Sequence, residues 1–163
     1  MEMNDMTKIV IKSIADSEEK ARITANVMES LFDWQPSREE IERRSLVHMS
    51  CPFFAAFDGE EAVGFCAVRI CSESVAEVHT IGVFREYRRL GIGSSLVETA
   101  QQYCKGLGFA YLTVKVSEYV KKQELCEMLE AFFDKNSFVP GKSFRDLGRG
   151  FYDGIYLAKY LGN

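Results

Sequence analysis

The chain has 163 residues, 47% hydrophobic and 27% charged, enough for one folded core and too apolar for a disordered protein. Its formal net charge of −4 argues against nucleic-acid binding through bulk positive charge, though not against one local basic pocket. The early apolar run Ile9-Val10-Ile11 meets Lys12 at once, too short for a secretory segment, and no stretch nears the roughly 18 apolar residues of a membrane span. The expectation is a cytoplasmic protein, one domain over 1–163, with no nucleic-acid or membrane partner. The five cysteines, an odd number with no Cys-x-x-Cys spacing, read as free thiols used as small hydrophobes. His48 and His79 are the two histidines, far apart in sequence, so no metal site is expected.

Thr7 to Ile14 reads as a first strand. Asp16 with Glu19 is a capping pair, and Ile23, Val27 and Leu31 follow at helical spacing. After the break at Trp34-Gln35-Pro36, Ser37-x-x-Glu40 is a capping box for a second helix ending near Met49. Phe53 to Phe57 and Ala62 to Ile70 are strands joined by an Asp58-Gly59 turn, and Val75 to Phe84 is the next strand. A helix from Ser94 to Lys105 ends at Gly106 and Gly108. Tyr111 to Ser117 alternates as a strand. Val120 to Asn136 carries an apolar helical stripe, and Phe138 to Leu161 holds two strands around the Gly-rich stretch Gly148 to Gly154. The order β-α-α-β-β-β-α-β-α-β-β predicts an α+β fold rather than a doubly wound sheet, which would alternate regularly.

Between the fourth strand and the third helix stands Arg88-Arg89-Leu90-Gly91-Ile92-Gly93-Ser94-Ser95. A glycine-bearing turn at a helix N-terminus offers backbone N–H groups and the positive end of the helix dipole to a phosphate. Two arginines there oppose the dipole unless an anion lies between them and the helix. A dinucleotide fingerprint would need a third glycine where Leu96 stands. A P-loop ending in Gly141-Lys142-Ser143 would need a glycine where Asn136 stands. The pattern Arg/Gln-x-x-Gly-x-Gly/Ala fits Arg88 to Gly93 without a gap. With this motif and element order, nearly the whole chain resembles the GNAT superfamily of acetyl-CoA-dependent N-acetyltransferases.

The resemblance implies a mixed sheet of about seven strands with four helices and splayed fourth and fifth strands. It implies acetyl-CoA as cosubstrate, with its pyrophosphate held by Arg88, Arg89, Leu90, Gly91, Ile92, Gly93, Ser94 and Ser95. It further implies that pantetheine pairs with the backbone of Ile81, Gly82 and Val83. A strand glycine such as Gly82 suits close approach of a ligand, with a plain bulge as the alternative. Glu77, at the family's glutamate position, is the implied general base, and His79 shares its strand face. An arbitrary strand glutamate would more often be a solvated side chain. The family's thiolate-protonating tyrosine and its glycine correspond here to Phe133 and Ser137. Phe133 is left to pack on pantetheine, with Tyr119, Tyr111, Tyr152 or water as candidate acids. Asp33 and Trp34, at the helix–helix break, are candidate residues for an ammonium-bearing acceptor, with Trp34 as a core anchor the bland alternative.

The implied reaction is acetyl transfer to a primary amine of a small molecule or protein, by direct attack in a ternary complex. A non-catalytic acetyl-CoA-binding regulatory domain and an enzyme using another acyl-CoA are the alternatives. The apolar run Tyr156-Leu157-Ala158 permits a homodimer of the kind that family members form through C-terminal strands.

Overall fold

The structure is a computed structural model that describes residues 8–31, 34–116, 123–140 and 156–162. Two helix starts follow from their capping residues. The Asp16 carboxylate accepts the Glu19 N–H at 2.8 Å ahead of α1 (Ser17–Glu29), and the Ser37 hydroxyl accepts the Glu40 N–H at 3.0 Å ahead of α2 (Arg38–His48). Both helices also carry acids in their first turn, Glu18 and Glu19, then Glu39 and Glu40.

The remaining elements are β1 (Ile9–Ser13), β2 (Phe53–Asp58), β3 (Glu61–Ile70), β4 (Val75–Val83), α3 (Ile92–Gly106), β5 (Tyr111–Lys115), α4 (Gln123–Lys135), β6 (Val139–Pro140) and β7 (Tyr156–Tyr160). The strands form a seven-stranded sheet in the order β1-β2-β3-β4-β5-β7-β6. β4 and β5 run parallel, with register pairs from Val75↔Tyr111 to Val78↔Val114, while β4 continues to Val83. This is the mixed sheet with splayed fourth and fifth strands that the family resemblance implied. No described helix is long and apolar enough to cross a membrane. The Gly-rich stretch from Gly148 to Gly154, and with it Tyr152, lies outside the described residues, as do Asp33 and Tyr119.

The chain divides into two compact units, Met1–Ala67 with Thr80–Thr99, and Val68–His79 with Ala100–Asn163. In the first, Ile23, Val27 and Met28 of α1, with Leu31 just after it, join a core shared with Phe53, Ala55, Phe57, Phe65 and Ala67. Burial of such side chains, each contributing about 1.5–3 kcal/mol, drives this layer together. Gly59 takes φ +66° in the β2–β3 hairpin, where the sequence placed the turn.

In the second unit, α4 ends in a complete Schellman motif. The Phe138 N–H donates to Phe133 O, and the Ser137 N–H donates to Asp134 O, both at 2.9 Å. The accompanying apolar contact is Phe133 against Phe138, edge to face with ring centroids 5.0 Å apart. Ser137 holds the left-handed position at φ +74°, a conformation costly for a residue with a Cβ. Ser137→Gly should therefore stabilise the protein by about 1 kcal/mol and raise Tm by about 2–4 °C in a thermal melt.

The run Tyr156-Leu157-Ala158 does not form an exposed face. β7 lies inside the sheet between β5 and β6, Ala158 is wholly buried, and Leu157 is buried. Its apolar character is explained by the sheet itself.

Candidate active site

The basic turn lies within the first unit. A 3-10 turn over Arg85–Tyr87 follows β4, closed by the Tyr87 N–H on Phe84 O at 2.9 Å and the Arg88 N–H on Arg85 O at 3.1 Å. The sequence reading did not anticipate this turn. It is tied to the β2–β3 hairpin by the Tyr87 hydroxyl, which donates to Asp58 Oδ2. That bond, before any effect of burial, pushes the Tyr87 pKa up to about 12. Arg88 Nε donates to Val83 O at 3.1 Å, which aims its guanidinium back along the end of β4.

Arg89 and Gly91 both take left-handed backbone, at φ +67° and +82°. Space around Gly91 is open, so its backbone angle rather than crowding calls for glycine. The first α3 bond runs from the Ser95 N–H to Gly91 O at 3.0 Å. Unlike α1 and α2, α3 has no acid in its first turn. No acid in that turn offsets the positive end of its dipole, which suits an anion-binding helix end.

The sequence reading placed Ile81, Gly82 and Val83 at the end of β4, and they are there. Glycine at 82 has a packing cause. A Cβ at Gly82 would lie 3.2 Å from Val27 Cγ1 and 3.4 Å from Leu31 Cδ1, so the missing side chain makes room for α1. Gly64 on β3 has a matching cause, since its Cβ would lie 3.0 Å from Gly82 O. The close approach at this position is that of a helix.

Glu77 belongs to the second unit. Its side chain is almost wholly buried, and Arg69 Nη2 sits 2.7 Å from its Oε1, with the arginine half exposed. The pairing follows from a hairpin. The Cys71 N–H donates to Val75 O at 2.9 Å, and two residues outward from that bond on either side stand Arg69 and Glu77. Burial works against the Arg69 charge, but Glu77 and Cys71 hold its pKa above the ordinary value. Burial pushes the Cys71 thiol up, and the Glu77 charge adds to that.

On β5, Thr113 is the register partner of Glu77, with Tyr111 and Lys115 two positions to either side. Tyr111 is partnered by Tyr160 of β7, ring centroids 5.5 Å apart, and Lys115 by Tyr156. Glu77 thus shares a sheet face with three tyrosines. His79, half buried, is two positions along β4 from Glu77.

Two expected site residues are accounted for by packing. Phe133 does not line an open surface. Its ring is wholly buried between Phe138 and Phe132, because the C-cap of α4 uses it. Trp34 packs on the first unit's core with the Arg44 guanidinium 4.9 Å from its ring centroid. A group already stacked on Trp34 leaves the anchoring role as the explanation the packing supports.

The sequence reading missed a buried polar network beside Trp34. Arg44, 1% exposed, donates from Nε to Glu40 Oε2 and from Nη1 to Thr80 Oγ1 at 2.8 Å. His48, fully buried, bridges Thr80 Oγ1 at 3.1 Å and Thr24 Oγ1 at 2.8 Å. The network ties both helices to Thr80 on β4, the residue just before Ile81. Among the described residues no cluster of His, Cys, Asp or Glu could hold a metal ion.

Residues 15–129 match the model of the acetyltransferase (GNAT) family. An uncharacterized N-acetyltransferase of Chlorobaculum tepidum is 27% identical over 135 residues, covering 82% of this chain and 80% of that protein. An aminoglycoside 6′-N-acetyltransferase complexed with coenzyme A has the same fold, with TM-score 0.69 at 16% identity over 93% of this chain and 97% of that one. So does the PaiA N-acetyltransferase of Thermoplasma acidophilum in complex with coenzyme A, with TM-score 0.65 at 18% identity over 94% and 99%. The matched span takes in Glu77 and the whole basic turn, and the chain belongs to the GNAT acetyltransferase family.

Proposed function

We propose that this protein transfers the acetyl group of acetyl-CoA to a primary amine, and that 1–163 acts as one acetyltransferase domain. The observation that carries the reading is the turn from Arg88 to Ser95. Left-handed Gly91, two arginines and a helix start without acids suit a pyrophosphate. Its similarity in fold to two enzymes solved with coenzyme A supports the same ligand here. The backbone of Ile81, Gly82 and Val83 would take the pantetheine amides as an added strand.

A primary amine with a pKa near 10.4 is almost fully protonated at neutral pH and must lose a proton to attack. Glu77 takes that proton. A C–N bond then forms at the acetyl carbon, the C–S bond breaks, and the thiolate is protonated. Tyr111, Tyr156 and Tyr160 share the Glu77 face and are the hydroxyls proposed for that step. A non-catalytic acetyl-CoA-binding domain is the reading that Phe133, in the family's tyrosine position, favours.

Thiol release from acetyl-CoA, followed with an aminoglycoside, a polyamine, and peptides bearing a free N-terminus or a lysine, separates the two readings. Amine-dependent release is expected, and its absence with every class would favour the non-catalytic one. Arg88→Ala should raise the Kd for acetyl-CoA about 10- to 100-fold, the loss of a charge-assisted hydrogen bond of about 1.5–3 kcal/mol. An unchanged Kd in calorimetry would remove Arg88 from the site.

A further inference from the structure

Val83 at the end of β4 and Ile92 at the start of α3 are both buried, but residues 85–91 between them include no buried side chain. Burial pins the two ends of this segment and leaves its middle to polar contacts. Arg89 and Gly91 add two left-handed backbone positions to it, at φ +67° and +82°. The Phe84 N–H donates to Val63 O at 2.8 Å and fixes the near end on β3. Tyr87 reaches out from the middle, where its hydroxyl donates to Asp58 Oδ2, 29 positions earlier in the β2–β3 hairpin. Aspartate in an Asp-Gly turn commonly turns its carboxylate onto the backbone of that turn. Here the Asp58 carboxylate takes a hydroxyl from a distant segment instead. With its pKa pushed up to about 12, the Tyr87 hydroxyl stays a donor at neutral pH, and a bond to a carboxylate is the stronger, charge-assisted kind. Tyr87 directly precedes Arg88, so this bond fixes the point from which the basic turn sets out.

We propose that Tyr87, latched to Asp58, is a positioning residue that holds the Arg88–Gly91 backbone ready for the coenzyme's phosphates before the coenzyme arrives. The proposal rests on acetyl-CoA as the ligand of this turn and adds the residues that preorganise it. A turn already held in its binding shape loses less conformational freedom when the ligand lands. The β2–β3 hairpin thereby contributes to coenzyme affinity, with Asp58 acting through Tyr87.

The test uses the intact protein as wild type, Tyr87→Phe, Asp58→Asn and the double variant, with two readouts. Amide hydrogen exchange, followed by NMR without ligand, reads the turn itself. Protection of the Tyr87 and Arg88 N–H groups should fall several-fold in Tyr87→Phe, while the Ile14 N–H, bonded to Phe53 O, keeps its rate. Binding reads the consequence. Tyr87→Phe should raise the Kd for acetyl-CoA about 10-fold in calorimetry. S-acetylpantetheine, which lacks the phosphates, should bind wild type and variant equally in ligand-observed NMR, a result that general loss of structure would not give. Asp58→Asn keeps an acceptor oxygen without the charge and should fall between the two, and the double variant should match Tyr87→Phe. Unchanged exchange at Tyr87 and Arg88 overturns the proposal, as does an unchanged Kd for acetyl-CoA or an equal loss with S-acetylpantetheine. A wild type that binds no acetyl-CoA fails the proposed function instead, and the exchange rates of the free protein still decide whether Tyr87 holds the turn.

Discussion

Glu77→Gln is expected to lower kcat by about 100-fold or more while the Kd for acetyl-CoA stays within a factor of two or three. The amide keeps the shape of the side chain but cannot accept the amine's proton, and general-base catalysis typically contributes about 10²–10⁴ in rate. The coenzyme's anionic part is assigned to Arg88 through Ser95, so its binding should be insensitive to residue 77. Initial rates with saturating amine, together with calorimetric binding of acetyl-CoA, give both numbers. An unchanged kcat would assign the Arg69–Glu77 pair to hairpin stability alone, where a cross-strand charge pair contributes about 0.2–1 kcal/mol.

Arg44→Ala should be strongly destabilising although the residue is charged and lies outside the apolar core. Arg44 is 1% exposed, and its loss removes the bonds to Glu40 and Thr80 and the stacking on Trp34. Breaking one side of a buried charged network costs about 3 kcal/mol or more, a fall in Tm of roughly 6–12 °C for a chain of this size. The deficit should depend on pH. Burial raises the Glu40 pKa, but hydrogen bonds from Arg43 and Arg44 outweigh it and hold the carboxyl below its ordinary value of 4.5. A lowered folded pKa gives stability that is fully present above the unfolded pKa and is lost as pH falls through the folded one. The wild-type advantage over Arg44→Ala should therefore narrow below about pH 4. Parallel melts at neutral and acid pH measure it, and a gap that widens in acid would show that the Glu40 contact is not what Arg44 supplies.

Local chemistry made much of this fold readable. Asp16, Ser37 and the Asp58-Gly59 turn act through neighbours within a few residues, and each marks an element boundary in the structure. The basic turn was legible for the same reason, because its glycines and arginines are contiguous. The polar network was not. The inner face of α2 carries Ile41, Arg44 and His48, and two polar residues on a buried face hide it from a reading based on apolar spacing. The partners that justify them, Thr24 and Thr80, come from α1 and β4.

The Arg69–Glu77 contact lay within reach. Opposite charges equally spaced about the turn joining β3 and β4 are a signal of cross-strand pairing. Gly82 and Phe133 each have a packing role that the family resemblance did not point to. Gly82 clears space for Val27 and Leu31, and Phe133 closes the end of α4.

The account stands or falls most directly on thermal unfolding with and without acetyl-CoA, with NAD and ATP as controls. Acetyl-CoA at about 100 times its Kd should add roughly 2.7 kcal/mol, a rise in Tm of several degrees, and the controls should do far less. No shift with acetyl-CoA, or an equal shift with all three, would contradict the assignment of the Arg88–Ser95 turn to this cosubstrate.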